Sequence, residues 1–188
     1  MRARKKLQGR GGFTLAETLL AVLILLLVSS IVASGIPVAK NAYEKVVLGS
    51  NAQLLLSTTV SALRNEIGTA RETAVEDGCV TYFSGDTGAK SSLSAETFNG
   101  KNTILLREYV NVQELNDKNS SVATTRPLVS DAAVTDDLSV SFSGVEISGG
   151  VVRFRDLQVC RRGGSVLAEL GGDGALYVRP VSIGKEEN

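Results

Sequence analysis

The chain has 188 residues, 20 basic and 20 acidic side chains, no histidine and no tryptophan. Without histidine the commonest general base and the commonest metal ligand are missing. The two cysteines, Cys79 and Cys160, make no C-x-x-C or zinc-like spacing, so neither an enzyme nor a bound metal or cofactor is expected. The length suits one membrane helix plus one small globular domain.

The formal net charge of zero hides an asymmetry. Arg2, Arg4, Lys5, Lys6 and Arg10 precede residue 12, with no acid among them. Beyond that point 15 basic groups face 20 acidic ones, a net of −5. A general nucleic-acid-binding surface is basic, so nucleic acid is not expected as a partner.

After the basic start comes Gly11-Gly12-Phe13-Thr14-Leu15-Ala16-Glu17, and then Thr18 to Ile36, 19 residues without a charge. About 20 apolar residues at 1.5 Å rise each cross the hydrocarbon core. The positive-inside rule keeps the basic cluster cytoplasmic and places the C-terminal domain outside, in a single pass. Glu17 is the informative residue. A carboxylate in such a segment costs roughly 2.5–3.5 kcal/mol at mid-helix, somewhat less near an end, and needs a partner. Cleavage before Phe13 would create one, the α-amino group of a neighbouring copy. A secretory signal peptide cut near Ala33 and Ser34, or a plain signal anchor, fits the apolar run but leaves Glu17 without a purpose.

Gly35 and Pro37 end the run, which predicts either a kink or local unwinding, or a simple membrane-exit boundary. Beyond them Tyr43, Val47, Leu54, Val60, Leu63 and Ile67 recur at helical intervals among charged residues, predicting an amphipathic helix. With the apolar run it would reach from about Thr14 to Glu76, with Asp77-Gly78 as its stop.

Strands are then predicted at Cys79–Phe83, Thr103–Val112, Leu138–Phe142, Val151–Cys160, Val166–Leu170 and Ala175–Val181. Gly149-Gly150, Gly163-Gly164 and Gly171 to Gly174 suggest tight turns in an antiparallel meander. Ser84 to Gly100 and Gln113 to Asp137 read as polar loops. The fold class expected is α+β, a long helix packed on an antiparallel sheet.

The N-terminal pattern resembles the type IV prepilin signature: a basic leader ending in Gly12, then Phe13, then Glu17 four residues on. The resemblance is close over about forty residues and general beyond them. It implies a pilin-like division into a cleaved leader (1–12), a transmembrane and filament-core helix (13–38) and an amphipathic helix plus sheet domain (39–188). It also implies cleavage by a prepilin peptidase between Gly12 and Phe13 and N-methylation of Phe13. Glu17 would then neutralise a neighbour's amine in a type IV pilus or in a secretion or competence pseudopilus. Implied partners are the peptidase, copies of the chain and other pilin-like subunits, an assembly ATPase, a platform protein and membrane lipid. The implied location is the cytoplasmic membrane and then the filament. The competing reading is a monomeric, membrane-anchored extracellular binding domain.

Three further groups have two readings each. A Cys79–Cys160 disulfide is chemically permitted in an exported domain, against two free thiols. Arg153, Arg155, Arg161, Arg162 and Arg179 form either a patch for an acidic neighbour or for DNA during uptake, or a solvated face balanced by Glu146, Asp156 and Glu169. The acids Asp131, Asp136, Asp137 and Asp173 match no EF-hand, so they read as ordinary surface acids rather than calcium ligands.

Overall fold

A computed structural model describes residues 14–110, 112, 115, 121–130, 137–161 and 163–184. One helix, α1 (Leu15–Gly68), is followed by eleven strands among these residues. The chain divides into two compact units, Met1–Val46 and Val47–Asn188.

The first unit consists, over its described residues, of the apolar part of α1. It carries leucine, isoleucine and valine on all sides, and from Leu19 to Val32 these side chains are each more than half exposed. The helix is long and apolar enough to cross a membrane, with mean hydropathy 2.8 in its most apolar window. Its assigned span runs through Pro37 without a break. The unwinding that Gly35 and Pro37 suggested is absent.

In the second unit the rest of α1 buries Ala52, Leu55, Leu56, Thr59, Leu63 and Ile67, a stripe spaced three or four residues apart. Leu63 and Ile67 lie on the expected face, whereas Tyr43 and Leu54 are exposed and correct its N-terminal part. The helix also ends earlier than Glu76. Gly68 closes it, and the Ala70 N–H takes the Ile67 carbonyl in a tightened last turn.

Five strands follow as an antiparallel meander: β1 (Arg71–Glu76), β2 (Cys79–Phe83), β3 (Lys90–Phe98), β4 (Lys101–Val110) and β5 (Ser121–Pro127). Asp77-Gly78 is therefore a hairpin turn, with φ of 49° and 76°. Positive φ at both central residues is the type I′ geometry that matches strand twist. Asn99-Gly100 (51° and 76°) joins β3 to β4 in the same way. Two regions expected to be loops, Ser84 to Gly100 and Gln113 to Asp137, thus contain β3 and β5. The outer edge of β1 is covered by the chain's last described residues: the Thr73 N–H donates to the Ser182 carbonyl at 3.1 Å, and the Gly184 N–H to the Thr73 carbonyl at 3.0 Å.

The remaining strands are β6 (Leu138–Ser141), β7 (Gly144–Ser148), β8 (Val151–Arg155), β9 (Gln158–Arg161), β10 (Val166–Glu169) and β11 (Leu176–Val178). They form two three-stranded sheets, β10-β9-β6 and β11-β8-β7, rather than one meander. The single strand expected over Val151–Cys160 breaks at Asp156, whose φ is 50°, and the chain changes sheets there.

One core joins these layers. Val80, Leu93 and Leu106 stand in register across β2, β3 and β4. They are buried together with Leu63 and Ile67 of the helix and Val140, Val152, Phe154, Leu157 and Val159 of the smaller sheets. Phe142 meets Phe154 edge to face, with ring centroids 5.3 Å apart. The fully buried Tyr82 donates its hydroxyl to Glu66 at 2.9 Å, linking β2 to the helix. Burial pushes the ionisation of that phenol up, so it stays a donor.

Candidate functional site

The helix begins with a reciprocal cap. The Thr14 N–H donates to Glu17 Oε2 at 2.9 Å, the Thr14 hydroxyl donates to the same oxygen at 3.1 Å, and the Glu17 N–H reaches back to Thr14 Oγ1 at 3.3 Å. This is a capping box: a Thr and a Glu three residues apart satisfy each other's backbone donors where the helix has none to offer. The Thr14-x-x-Glu17 spacing was present in the sequence, but attention to the charge in an apolar run obscured it. Glu17 therefore has a local purpose in addition to any partner on another chain.

Around the cap the helix offers no other charge until Lys40. Two of its hydroxyls turn inward on the backbone: Thr18 donates to the Leu15 carbonyl and Ser34 to the Ile31 carbonyl, both at 2.9 Å. Such back-bonding satisfies those two hydroxyls on a surface suited to lipid. Gly12 and Phe13, with the residues before them, lie outside the described residues.

The other residues singled out in the sequence do not converge. Cys79 and Cys160 are free, half-buried thiols, on β2 and β9, so the disulfide is not formed. Burial pushes the Cys79 thiol up, assisted by the Glu96 charge, which disfavours the reactive thiolate.

Two of the arginines, Arg153 and Arg155, lie on an internally balanced face. Arg153 pairs with Glu146 at 3.0 Å and with Asp173 at 3.2 Å and lies 5.5 Å from the Tyr177 ring centre, while Arg155 approaches Glu146 at 3.8 Å. Asp173 also accepts the Tyr177 hydroxyl and then the Ala175 N–H, which hold its carboxyl below its ordinary value. The acids in this face are Glu146 and Asp173. Asp156 instead accepts a hydrogen bond from Ser143. Arg162, Asp131 and Asp136 lie outside the described residues.

A second polar group was missed in the sequence. On β3 and β4, Arg107 makes a two-pronged pair with Glu96 and donates to Ser94 at 3.1 Å. The Arg107 hydrogen bonds, and then that of Ser94, lower the Glu96 carboxyl to about 2. Neighbouring Ser92 shares a 3.1 Å hydrogen bond with Tyr109. The serine-rich strand is polar on one face because it holds these partners.

An open groove of about 770 Å³ runs between the helix and β10, lined in part by Leu56, Val60, Arg64, Val166, Ala168 and Leu170. Comparison with protein-family models, curated proteins and solved structures returns no match for the chain.

Proposed function

We propose that this chain is a pilin or pseudopilin subunit whose mechanism is assembly rather than catalysis. A prepilin peptidase cuts between Gly12 and Phe13, and the new N-terminus is methylated. The mature helix waits in the cytoplasmic membrane with its domain outside. It then joins other copies in a filament, driven by an assembly ATPase through a platform protein.

The observation that carries this reading is Glu17, the lone charge at the head of a helix that is apolar on every side. A helix of that kind is stable against lipid or inside a bundle of similar helices. The carboxylate gains most where the second solvent brings an ammonium group, because two charges that are each costly alone become tolerable as a hydrogen-bonded pair. The pair also fixes axial register between copies.

The capping box sharpens the test. Glutamine serves a capping box as glutamate does but carries no charge. In Glu17→Gln the helix start is kept and the ion pair is lost. The filament reading expects normal processing and a fall in incorporation of about tenfold or more. Wild-type incorporation of Glu17→Gln would reduce Glu17 to a cap. The anchored binding domain would then be the better account, with the groove beside β10 as its candidate ligand site.

A further inference from the structure

One face of the sheet β10-β9-β6 forms the floor of a second cavity. Across β6 and β9, Ser139 pairs with Cys160 and Ser141 with Gln158, while Val140 and Val159, paired between them, are buried in the core. Alternation along a strand sets those four residues on the face away from the core. Lys101 and Asn102 from the start of β4, Arg161 from the end of β9 and the Gly163-Gly164 turn add to the lining. The open pocket measures about 390 Å³.

Its polar groups divide by role. An ammonium offers three donors and a guanidinium five, so Lys101 and Arg161 can each serve a ligand beside a protein partner. The Asn102 amide oxygen accepts the Thr97 hydroxyl at 2.8 Å, which leaves Asn102 its NH2 donors. The Ser139 hydroxyl donates to the Cys160 carbonyl at 3.3 Å and so meets a ligand as an acceptor. Ser141 and Gln158 can act in both senses.

We propose that this pocket binds a phosphate monoester of a small sugar or polyol. Lys101 and Arg161 hold the phosphate, and Ser139, Ser141 and Gln158 take the hydroxyls. Two cations match a group that carries about −1.5 to −2 near neutral pH, whereas a carboxylate brings one charge. The cavity is large enough for a small organic ligand rather than a bare ion. The chain beyond residue 12 has an excess of acid, so diffuse attraction does not gather anions and the local cations must do so. The inference concerns the sheet domain alone and does not depend on the filament reading.

The two thiols supply the test. Cys160 is half-buried and lines this pocket, while Cys79, equally half-buried, lines a different one and serves as an internal control. The full-length chain in neutral detergent is alkylated with iodoacetamide, and each cysteine is followed on its own peptide by mass spectrometry. Saturating glycerol 3-phosphate should slow Cys160 by about tenfold and leave Cys79 unchanged. Glycerol should do nothing, and glycerate, with a carboxylate for the phosphate, should need about tenfold higher concentration. Lys101→Gln and Arg161→Gln should each weaken the protection about tenfold, with thermal midpoints like wild type to show that they fold. Arg179→Gln, at an exposed arginine outside this lining, should stay within about twofold.

No protection by the ester up to about 10 mM, or equal slowing of both thiols, would overturn the proposal. So would an Arg179→Gln as impaired as Arg161→Gln, which would make the attraction diffuse. Protection by vesicles of phosphatidylglycerol without protection by the soluble ester would also overturn it, because that phosphate is a lipid diester of single charge.

Discussion

A carboxylate is satisfied by donors within reach, and Glu17 and Glu96 find theirs by different routes. Glu17 takes its own helix start through Thr14, at the head of an apolar segment. Glu96 takes a guanidinium of the neighbouring strand, four residues out of register, on a half-exposed sheet face. The second pair has a pH signature. Its folded value is depressed to about 2, below the ordinary 4.5. Its contribution is therefore fully present above the ordinary carboxylate range and is lost as pH falls through about 2. Solvent screening keeps that contribution to about 1 kcal/mol or less. Denaturant midpoints measured between pH 2 and 5 should fall more steeply for wild type than for Glu96→Gln. Parallel curves would mean that the pair adds nothing to stability.

At the scale of elements, what the sequence conveyed depended on how many roles a segment carries. The apolar run has one role and was read correctly as a membrane-length helix. The following stretch has two. Its buried stripe passes through Ala52 and Thr59, residues of weak hydropathic signal, while Leu54 points away from the core. The hydropathic pattern accordingly marks Leu63 and Ile67 but misplaces the stripe further toward the N-terminus. Extending the helical period past Ile67 overrode Asp77-Gly78, a strong short-range hairpin signal. Strand β3 has the polar composition of a loop, because Ser91, Ser92 and Ser94 are residues of solvated segments, yet all three are buried. Register between segments far apart in the chain, such as the pairing of β6 with β9, had no local signal at all.

The junction between helix and sheet supplies a prediction at this scale. A Cβ on Gly85 would lie 2.5 Å from the Thr69 carbonyl oxygen and 2.7 Å from the Thr69 Cβ. That contact presses the β2–β3 connection against the residue just after the helix end. Gly85→Ala must move backbone, and overpacking of that sort costs about 1–3 kcal/mol. The thermal midpoint should drop by roughly 2–10 °C for a domain of this size. An unchanged midpoint would mean that the two segments are not held together.

For the whole molecule, an asymmetric charge distribution goes with a proposed change of surroundings. Five of the basic groups lie in the first twelve residues, and the remainder of the chain carries an excess of acid. The apolar helix has its own unit and the sheets have theirs, with a core that draws on α1 only from Ala52 onward among its fully buried residues. A filament subunit needs that division, one part for lipid and for other helices, the other for the outer surface. The filament reading stands or falls with cleavage between Gly12 and Phe13, which the mass of the N-terminal peptide reports in protein recovered from cells that possess a prepilin peptidase. The expected peptide begins at Phe13 and carries one methyl group on its amine. A chain that still begins at Met1, or one cut near Ser34 with the apolar run removed, would contradict that reading.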